Sequence, residues 1–427
     1  MRVSDYRFSV TREPLKRPFS FKGGSFTEKW ITVTSVTGEN GARATGIGGL
    51  AVLWSDSRVF AEHSEVGGNL LMSAIAEYGV RCVQQSEMQL GASTPIDVQE
   101  AILPAVAEYA RSITGRRDVR KTLILNSLVS LDIALWKLYA AALGITDFDR
   151  MIPAAFAGVF AERHHALAHV PLVTYGMESG DVVDMARRGT RVFKIKLGQS
   201  GSQSEMLEKD KQRLSQIHSA LGSEIGGSGA APLYYLDANG RYESMEHLLR
   251  LLDHIDRLGA LGQVLLLEEP LVPGCEVDVS MLPVTVAGDE SVEGPEDVER
   301  LADLGYSAFA IKPAGKSLSA SLRAAGLANG RGLPCFVADS ACVPLLVDWN
   351  KNVAARLAAL PGLDMGLLES NGADHYRNWQ AMLDAHPCSG ARWIEPTNGF
   401  YALDGDFYDR SACALDGCGR YEALLPE

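Results

Sequence analysis

The chain has 427 residues, with Lys+Arg 40 against Asp+Glu 53 and a formal net charge of -13, which is long enough for two or three domains and a large core. Hydrophobic residues at 46%, charged residues at 22% and a mean hydropathy of -0.00 are ordinary globular values and speak against a disordered, collagen-like or membrane-embedded chain. The acidic balance disfavours nucleic acid and anionic membranes as partners, leaving small molecules and metals.

The N-terminal part reads as strands at Tyr6–Val10, Lys29–Val36 and Ala42–Gly48, the last two joined by a Thr-Gly-Glu-Asn-Gly turn. Two segments are expected to be mobile loops: Leu15 to Gly24, which mixes Lys16, Arg17 and Phe19 with Pro and Gly, and Gly49 to Glu62, which holds Trp54 and Arg58. From about Glu65 to Gly144 the apolar period is helical, so residues 1–145 form an α+β unit. Its most apolar helix, Thr122 to Leu143, carries Asn126, Asp132 and Lys137 and belongs in a core.

The start, Met1 to Tyr6, lacks the basic-then-apolar pattern of a signal peptide. Seven scattered cysteines without a C-x-x-C pair indicate neither a disulfide scaffold nor a zinc ribbon, so the expected compartment is a reducing cytoplasm. Residues 146–170 read as a linker. His165 and His169 there have a spacing that would suit zinc on a helix, but no acidic motif accompanies them.

Beyond Val170 eight short apolar runs alternate with helical stretches. They are Pro171–Tyr175, Val192–Leu197, Leu233–Asp237, Val264–Glu268, Val284–Asp289, Ala308–Lys312, Cys335–Asp339 and Met365–Glu369. The helical stretches include Ser204–Leu221, Glu243–Leu258, Pro295–Leu304 and Pro344–Leu360, and residues 222–231 read as a flexible insertion. Eight such units predict an α/β fold, a (β/α)8 barrel over residues 171–395 with its site at the C-terminal ends of the strands. Residues 396–427 form a C-terminal tail. Gly315-Lys316-Ser317 imitates the end of a phosphate-binding loop, but Ala310 stands where the first glycine is required, so it reads as the start of the sixth helix.

Two constellations carry chemistry. Asp237, Glu268 and Asp289 end three successive strands, and three converging acids repel unless a hard divalent cation, most simply Mg²⁺, sits among them. Lys194 and Lys196 share one face of the second strand, with Lys312 across the circle. Like charge two residues away lowers a lysine's pKa toward that of a general base.

Phe193-Lys194-Ile195-Lys196-Leu197-Gly198, Leu236-Asp237-Ala238-Asn239-Gly240, Leu267-Glu268-Glu269-Pro270, Ala287-Gly288-Asp289-Glu290-Ser291 and Ala310-Ile311-Lys312-Pro313, in this order, resemble the enolase superfamily. The resemblance is to its mandelate racemase/muconate lactonizing enzyme family, on the muconate lactonizing side. It implies a TIM-like barrel under an N-terminal α+β capping domain that the C-terminal tail completes. It further implies Asp237, Glu268 and Asp289 as ligands of Mg²⁺, with Mn²⁺ as a substitute, and Glu269 and Glu290 in support. Lys196 and Lys312 would be acid and base on opposite faces of the substrate, with Lys194 tuning Lys196 and Asn239 near the metal.

Departures from subfamily patterns narrow the chemistry. Strand seven ends Ala338-Asp339-Ser340-Ala341-Cys342, without the histidine of an Asp-His dyad, and strand eight reads Leu368-Glu369-Ser370-Asn371-Gly372, without the Asp-x-Asp of dipeptide epimerases. The expectation is a cytoplasmic, homo-oligomeric isomerase that binds a small carboxylate and neither nucleic acid nor membrane. It would abstract the proton α to a carboxylate through an enediolate and act as a racemase or epimerase. Alternatives are a cycloisomerase, a β-eliminating lyase, a Schiff-base barrel enzyme using Lys312, or a metabolite binder. Asp339, Glu369 and Tyr175 are further candidates to touch substrate, as are Lys16, Arg17, Phe19 and Trp54 in the cap.

Overall fold

The computed structural model describes residues 1–21, 24–225 and 231–426. The chain opens with a three-stranded antiparallel sheet, β1 (Val3–Phe21), β2 (Gly24–Gly38) and β3 (Arg43–Leu50), in the order β1-β2-β3. The central strand β2 is buried from Trp30 to Ser35 on both faces, which explains its continuous run of apolar and β-branched residues. Its buried hydroxyls are satisfied: Thr32 Oγ1 donates to Gly48 O at 3.1 Å, and Thr34 Oγ1 lies 2.8 Å from Ser130 Oγ. A Cβ at Gly46 would overlap the backbone of Ser130 and Ala134, so a glycine is required where β3 lies on the helix Val129–Leu143.

Two expected loops are regular structure. Leu15 to Phe21 belongs to β1 and pairs on through Phe19↔Phe26 and Ser20↔Ser25, after a register shift between Pro14 and Phe19 where proline cannot donate to the ladder. Lys22, Gly23 and the centre of the expected insertion, residues 226–230, lie outside the described residues; residues 222–225 end the helix Gln203–Ile225. Gly49 to Glu62 holds two helix starts, Val52–Ser55 and Ser57–Gln85, the second capped by Asp56, whose carboxylate accepts from Arg58 N at 3.1 Å. The hidden signal was that Asp-Ser cap. Among the described residues no single helix is long and apolar enough to cross a membrane; the apolar pair Lys121–Ser127 and Val129–Leu143 is bent by 52° and almost wholly buried.

The second sheet has ten strands: β4 (Ala166–Val170), β5 (Leu172–Val173), β6 (Val192–Lys196), β7 (Leu233–Asp237), β8 (Val264–Glu268), β9 (Val286–Gly288), β10 (Ala308–Ile311), β11 (Cys335–Val337), β12 (Gly366–Glu369) and β13 (Phe400–Ala402). Each of β5 to β12 runs parallel to its neighbour, β12 pairs with β4, and β4 continues past Pro171 into β5, so the ring closes with eight staves. The first stave begins inside the expected linker, because Ala166–Val170 pairs with Gly366–Glu369. His169 is therefore on a strand, its Nε2 2.8 Å from Ser370 O, and not on a zinc-binding helix.

The tail supplies β13, antiparallel to β4, before crossing to the cap, where Tyr421 Oη donates to Glu13 Oε1 at 3.2 Å and Lys137 Nζ donates to Asp416 O at 2.6 Å. This return also joins Cys388 to Cys413 in a disulfide that the scattered spacing did not indicate.

Cap and barrel meet at the buried carboxylate of Asp132, which receives Leu318 N at 2.8 Å, Ser319 N at 3.2 Å and Ser319 Oγ, and so caps the barrel helix Leu318–Gly330. Burial outweighs these hydrogen bonds and pushes its pKa up from 3.8 to about 6. The folded state therefore holds a proton that the unfolded state releases, so stability is highest below pH 4 for this group and falls as pH rises toward 6. Relative to Asp132→Asn, the unfolding free energy of the native protein should drop by roughly 3 kcal/mol between pH 4 and 7. Denaturant titrations of both proteins across that range check this, and parallel curves would refute it.

Candidate active site

Strand alternation aims Lys194 and Lys196 of β6 to the same side as Tyr235 and Asp237 of β7, opposite which they pair. Lys194 is fully enclosed. Its Nζ lies 2.7 Å from Glu268 Oε2, 3.0 Å from Glu369 Oε2 and 3.1 Å from both Asp237 Oδ2 and Tyr235 Oη. Lys196 Nζ contacts Asp237 Oδ2 at 2.5 Å and Asn239 Oδ1 at 2.7 Å. On the far side of the ring Lys312 Nζ lies 2.8 Å from Asp289 Oδ2 and 3.2 Å from Asp339 O.

These contacts decide the charge of Lys194. Burial favours a neutral Lys194, but Asp237, Glu268 and Glu369 outweigh it and hold its pKa well above the ordinary lysine value. Lys194 is therefore a fixed positive charge. Burial likewise opposes ionisation of Asp237 and Asp289, but Lys194 and Lys196 pull the first down and Lys312 and Lys316 the second. Glu268 is pushed up by burial and by Asp237. In metal-free protein Lys194→Met should cost about 3–5 kcal/mol, because three buried acids lose their shared counter-charge; chemical denaturation measures it, and a loss below 1 kcal/mol would contradict the assignment.

Among the described residues no three His, Cys, Asp or Glu groups are drawn into a closed metal-ligand set, since the lysine ammoniums are bonded to the acids. The donor chemistry nonetheless fits a hard cation. Asp237, Glu268 and Asp289 offer only oxygens from three adjacent strands, and Glu268 Oε1 is buried without a hydrogen-bond partner.

The strand ends open into a cleft of ≈ 590 Å³, its mouth included, lined by Lys194, Lys196, Asp237, Asn239, Asp289, Glu290, Lys312, Asp339 and Glu369 from the barrel and by Phe19 and Trp54 from the cap. Trp54 lies over Lys312, with Nζ 5.1 Å from the ring centroid. Asn239 Nδ2 donates to Glu290 Oε1 at 3.0 Å.

Other candidates fall outside the cleft or have structural duties. Lys16 Nζ donates to Ala373 O at 2.8 Å and Arg17 is exposed, neither lining the cleft. Tyr175 is 46% exposed and donates to Leu197 O at 2.6 Å. Glu269 turns away from the acids, accepting from Asp289 N at 2.9 Å and from Ser291 N and Oγ, with its backbone held at φ 42. Asp339 lines the cleft but uses both oxygens on backbone, Cys342 N at 3.1 Å and Asn371 N at 2.9 Å.

Sequence reasoning missed Lys29, Phe26, Ser340 and Asn371, which also line the cleft. It also missed Lys316, whose Nζ bonds Asp289 O at 2.8 Å and Val292 O at 2.7 Å. The Gly-Lys-Ser resemblance had drawn attention to Lys316 for another chemistry.

A closed eight-stranded barrel with acids and lysines at its strand ends, under an α+β cap, defines the architectural class. Residues 180–389 match the family model described as Enolase C-terminal domain-like. Over those residues the barrel is similar to the C-terminal domain of enolase-like proteins.

A mandelate racemase/muconate lactonizing protein from Herpetosiphon aurantiacus superposes with a TM-score of 0.65 at 16% identity, covering 94% of this chain and 96% of that one. Dipeptide Epimerase from Cytophaga hutchinsonii, complexed with Mg and D-Ala-L-Val, gives 0.62 at 16% identity, covering 88% and 89%. N-succinyl Arg/Lys racemase from Bacillus cereus ATCC 14579 gives 0.62 at 13%, covering 88% and 89%. At these identities the likeness speaks for the fold. Curated protein sequences provide no match.

Proposed function

We propose that this protein is a Mg²⁺-dependent isomerase that removes the proton α to a carboxylate of a small-molecule substrate and returns one to the opposite face, giving racemisation or epimerisation. The observation that carries the reading is the placement of two lysines. Lys196 ends β6 and Lys312 follows β10, four staves away in an eight-stave ring, and both line one cleft with acids on the staves between them.

Asp237, Glu268 and Asp289 would hold the metal, with Mn²⁺ as a substitute. When bound, the cation supplies positive charge where negative charge develops on the substrate carboxylate. Lys196 takes the α-proton from one face, and its contacts to Asp237 and Asn239 hold the Nζ in position. Lys312 delivers a proton from the other face, oriented by Asp289, the Asp339 carbonyl and Trp54. Phe19 and Trp54 place cap side chains over the cleft and keep water from it. Glu369 anchors Lys194 within the acid cluster.

The test is mass-detected deuterium uptake from D₂O into a mixed library of carboxylic acids, with Mg²⁺ and with chelator. Metal-dependent uptake at an α-carbon supports the reading. Exchange that persists after metal removal would overturn it.

A further inference from the structure

Among the described residues that line the cleft, Lys29 is a cation that neither the proton transfers nor the acid cluster uses. Lys29 on β2 of the cap is 2% exposed and lines the cleft beside Phe19, Phe26 and Trp54. Its Nζ donates to Ser340 O at 2.6 Å, while Lys312 donates to the preceding carbonyl, Asp339 O, at 3.2 Å. Two ammoniums thus hang on consecutive carbonyls of one loop.

Among the described residues the Lys29 ammonium makes no ion pair within 4.0 Å, and beyond the bond to Ser340 O it keeps two N–H donors. Asp339 in the same loop spends both oxygens on backbone N–H groups. The Cys342 thiol is buried and its pKa is pushed up, so it stays neutral. A buried ammonium whose one hydrogen bond is to a neutral carbonyl is costly, and burial lowers Lys29 to about 8 against the opposing pull of Cys342 and Asp339. The apolar wall of Phe19, Phe26 and Trp54 adjoins it.

We infer that Lys29 binds a second, distal carboxylate of the substrate, so that the substrate class is a dicarboxylate whose acidic ends are separated by an apolar spacer. The assignment of the other end to the acid and lysine cluster rests on the reading proposed above; the distal contact itself is a cap residue's choice among acids and determines specificity.

The test compares binding of three chain-matched pairs, succinate with butyrate, glutarate with pentanoate and adipate with hexanoate, by titration calorimetry on the Mg²⁺-supplemented protein. For at least one pair the wild type should prefer the dicarboxylate by about tenfold or more. Lys29→Met should bring that dicarboxylate down to the affinity of its monocarboxylate partner, and Lys29→Arg should retain part of the preference. No preference in the wild type, or an equal preference in Lys29→Met, overturns the inference. Circular dichroism verifies folding; if Lys29→Met does not fold, the wild-type preference and Lys29→Arg decide. Deuterium exchange without a dicarboxylate preference sinks this inference and spares the proposed reaction, whereas a Lys29-dependent preference without exchange does the reverse.

Discussion

Replacing either cleft lysine should stop turnover while leaving exchange on one face only. Lys312→Ala is expected to lower racemisation or epimerisation by roughly 10²–10⁴-fold, the usual contribution of a positioned acid or base. It should still wash deuterium into the stereoisomer whose α-proton faces Lys196. Lys196→Ala should show the mirror behaviour. The expectation follows from the ring: with Lys196 on β6 and Lys312 after β10, the two ammoniums approach from opposite sides and neither can serve both faces. The measurement is deuterium content of each stereoisomer after incubation in D₂O with Mg²⁺. Equal loss of exchange in both stereoisomers from each single variant would show that the lysines act as one unit and would defeat the two-face assignment.

Removing one carboxylate should remove the metal response as a whole. For Glu268→Gln we expect activity to fall by at least about 10³-fold and stabilisation by Mg²⁺ to vanish. In the native protein Mg²⁺ at a hundredfold excess over its Kd should add about 2.7 kcal/mol, seen as a concentration-dependent rise in Tm. The physical ground is the position of Glu268 on β8 between the other two acids, wholly buried and with Oε1 unpartnered. Thermal melts of both proteins across a Mg²⁺ series decide the matter. A native Tm that ignores Mg²⁺ would remove the metal from the site, and an unchanged response in Glu268→Gln would remove this residue from the ligand set.

The barrel was legible because each strand is short, apolar and ends in a charged or small residue, and the eight runs lie at or near the observed staves β5 to β12. The first stave was misjudged at its start: Ala166–Val170 contains His169 and looked like linker, yet its backbone is paired on one side by β12 and on the other by β13 from the tail. The cap loops failed for a related reason. Lys16, Arg17 and Pro18 have no strand pattern and no register partner on β2, but the pairs on either side, Pro14↔Glu28 and Phe19↔Phe26, hold the segment extended.

Residue types and their order along the chain were enough to determine the barrel, the acids at the ends of β7, β8 and just beyond β9, and the lysines across from one another. These depend on local period and on the rule that successive staves are neighbours. Distances between side chains from different staves decided everything else. Lys194 is a fixed cation because Asp237, Glu268 and Glu369, from three other staves, all reach it. Glu269 and Asp339 serve backbone N–H groups, while Lys29 and Phe26, far from every barrel motif, face the cleft because the cap folds over it. Charge interactions fall off over a few ångströms, so their sign at any residue is set by neighbours that only the closed tertiary structure brings into range.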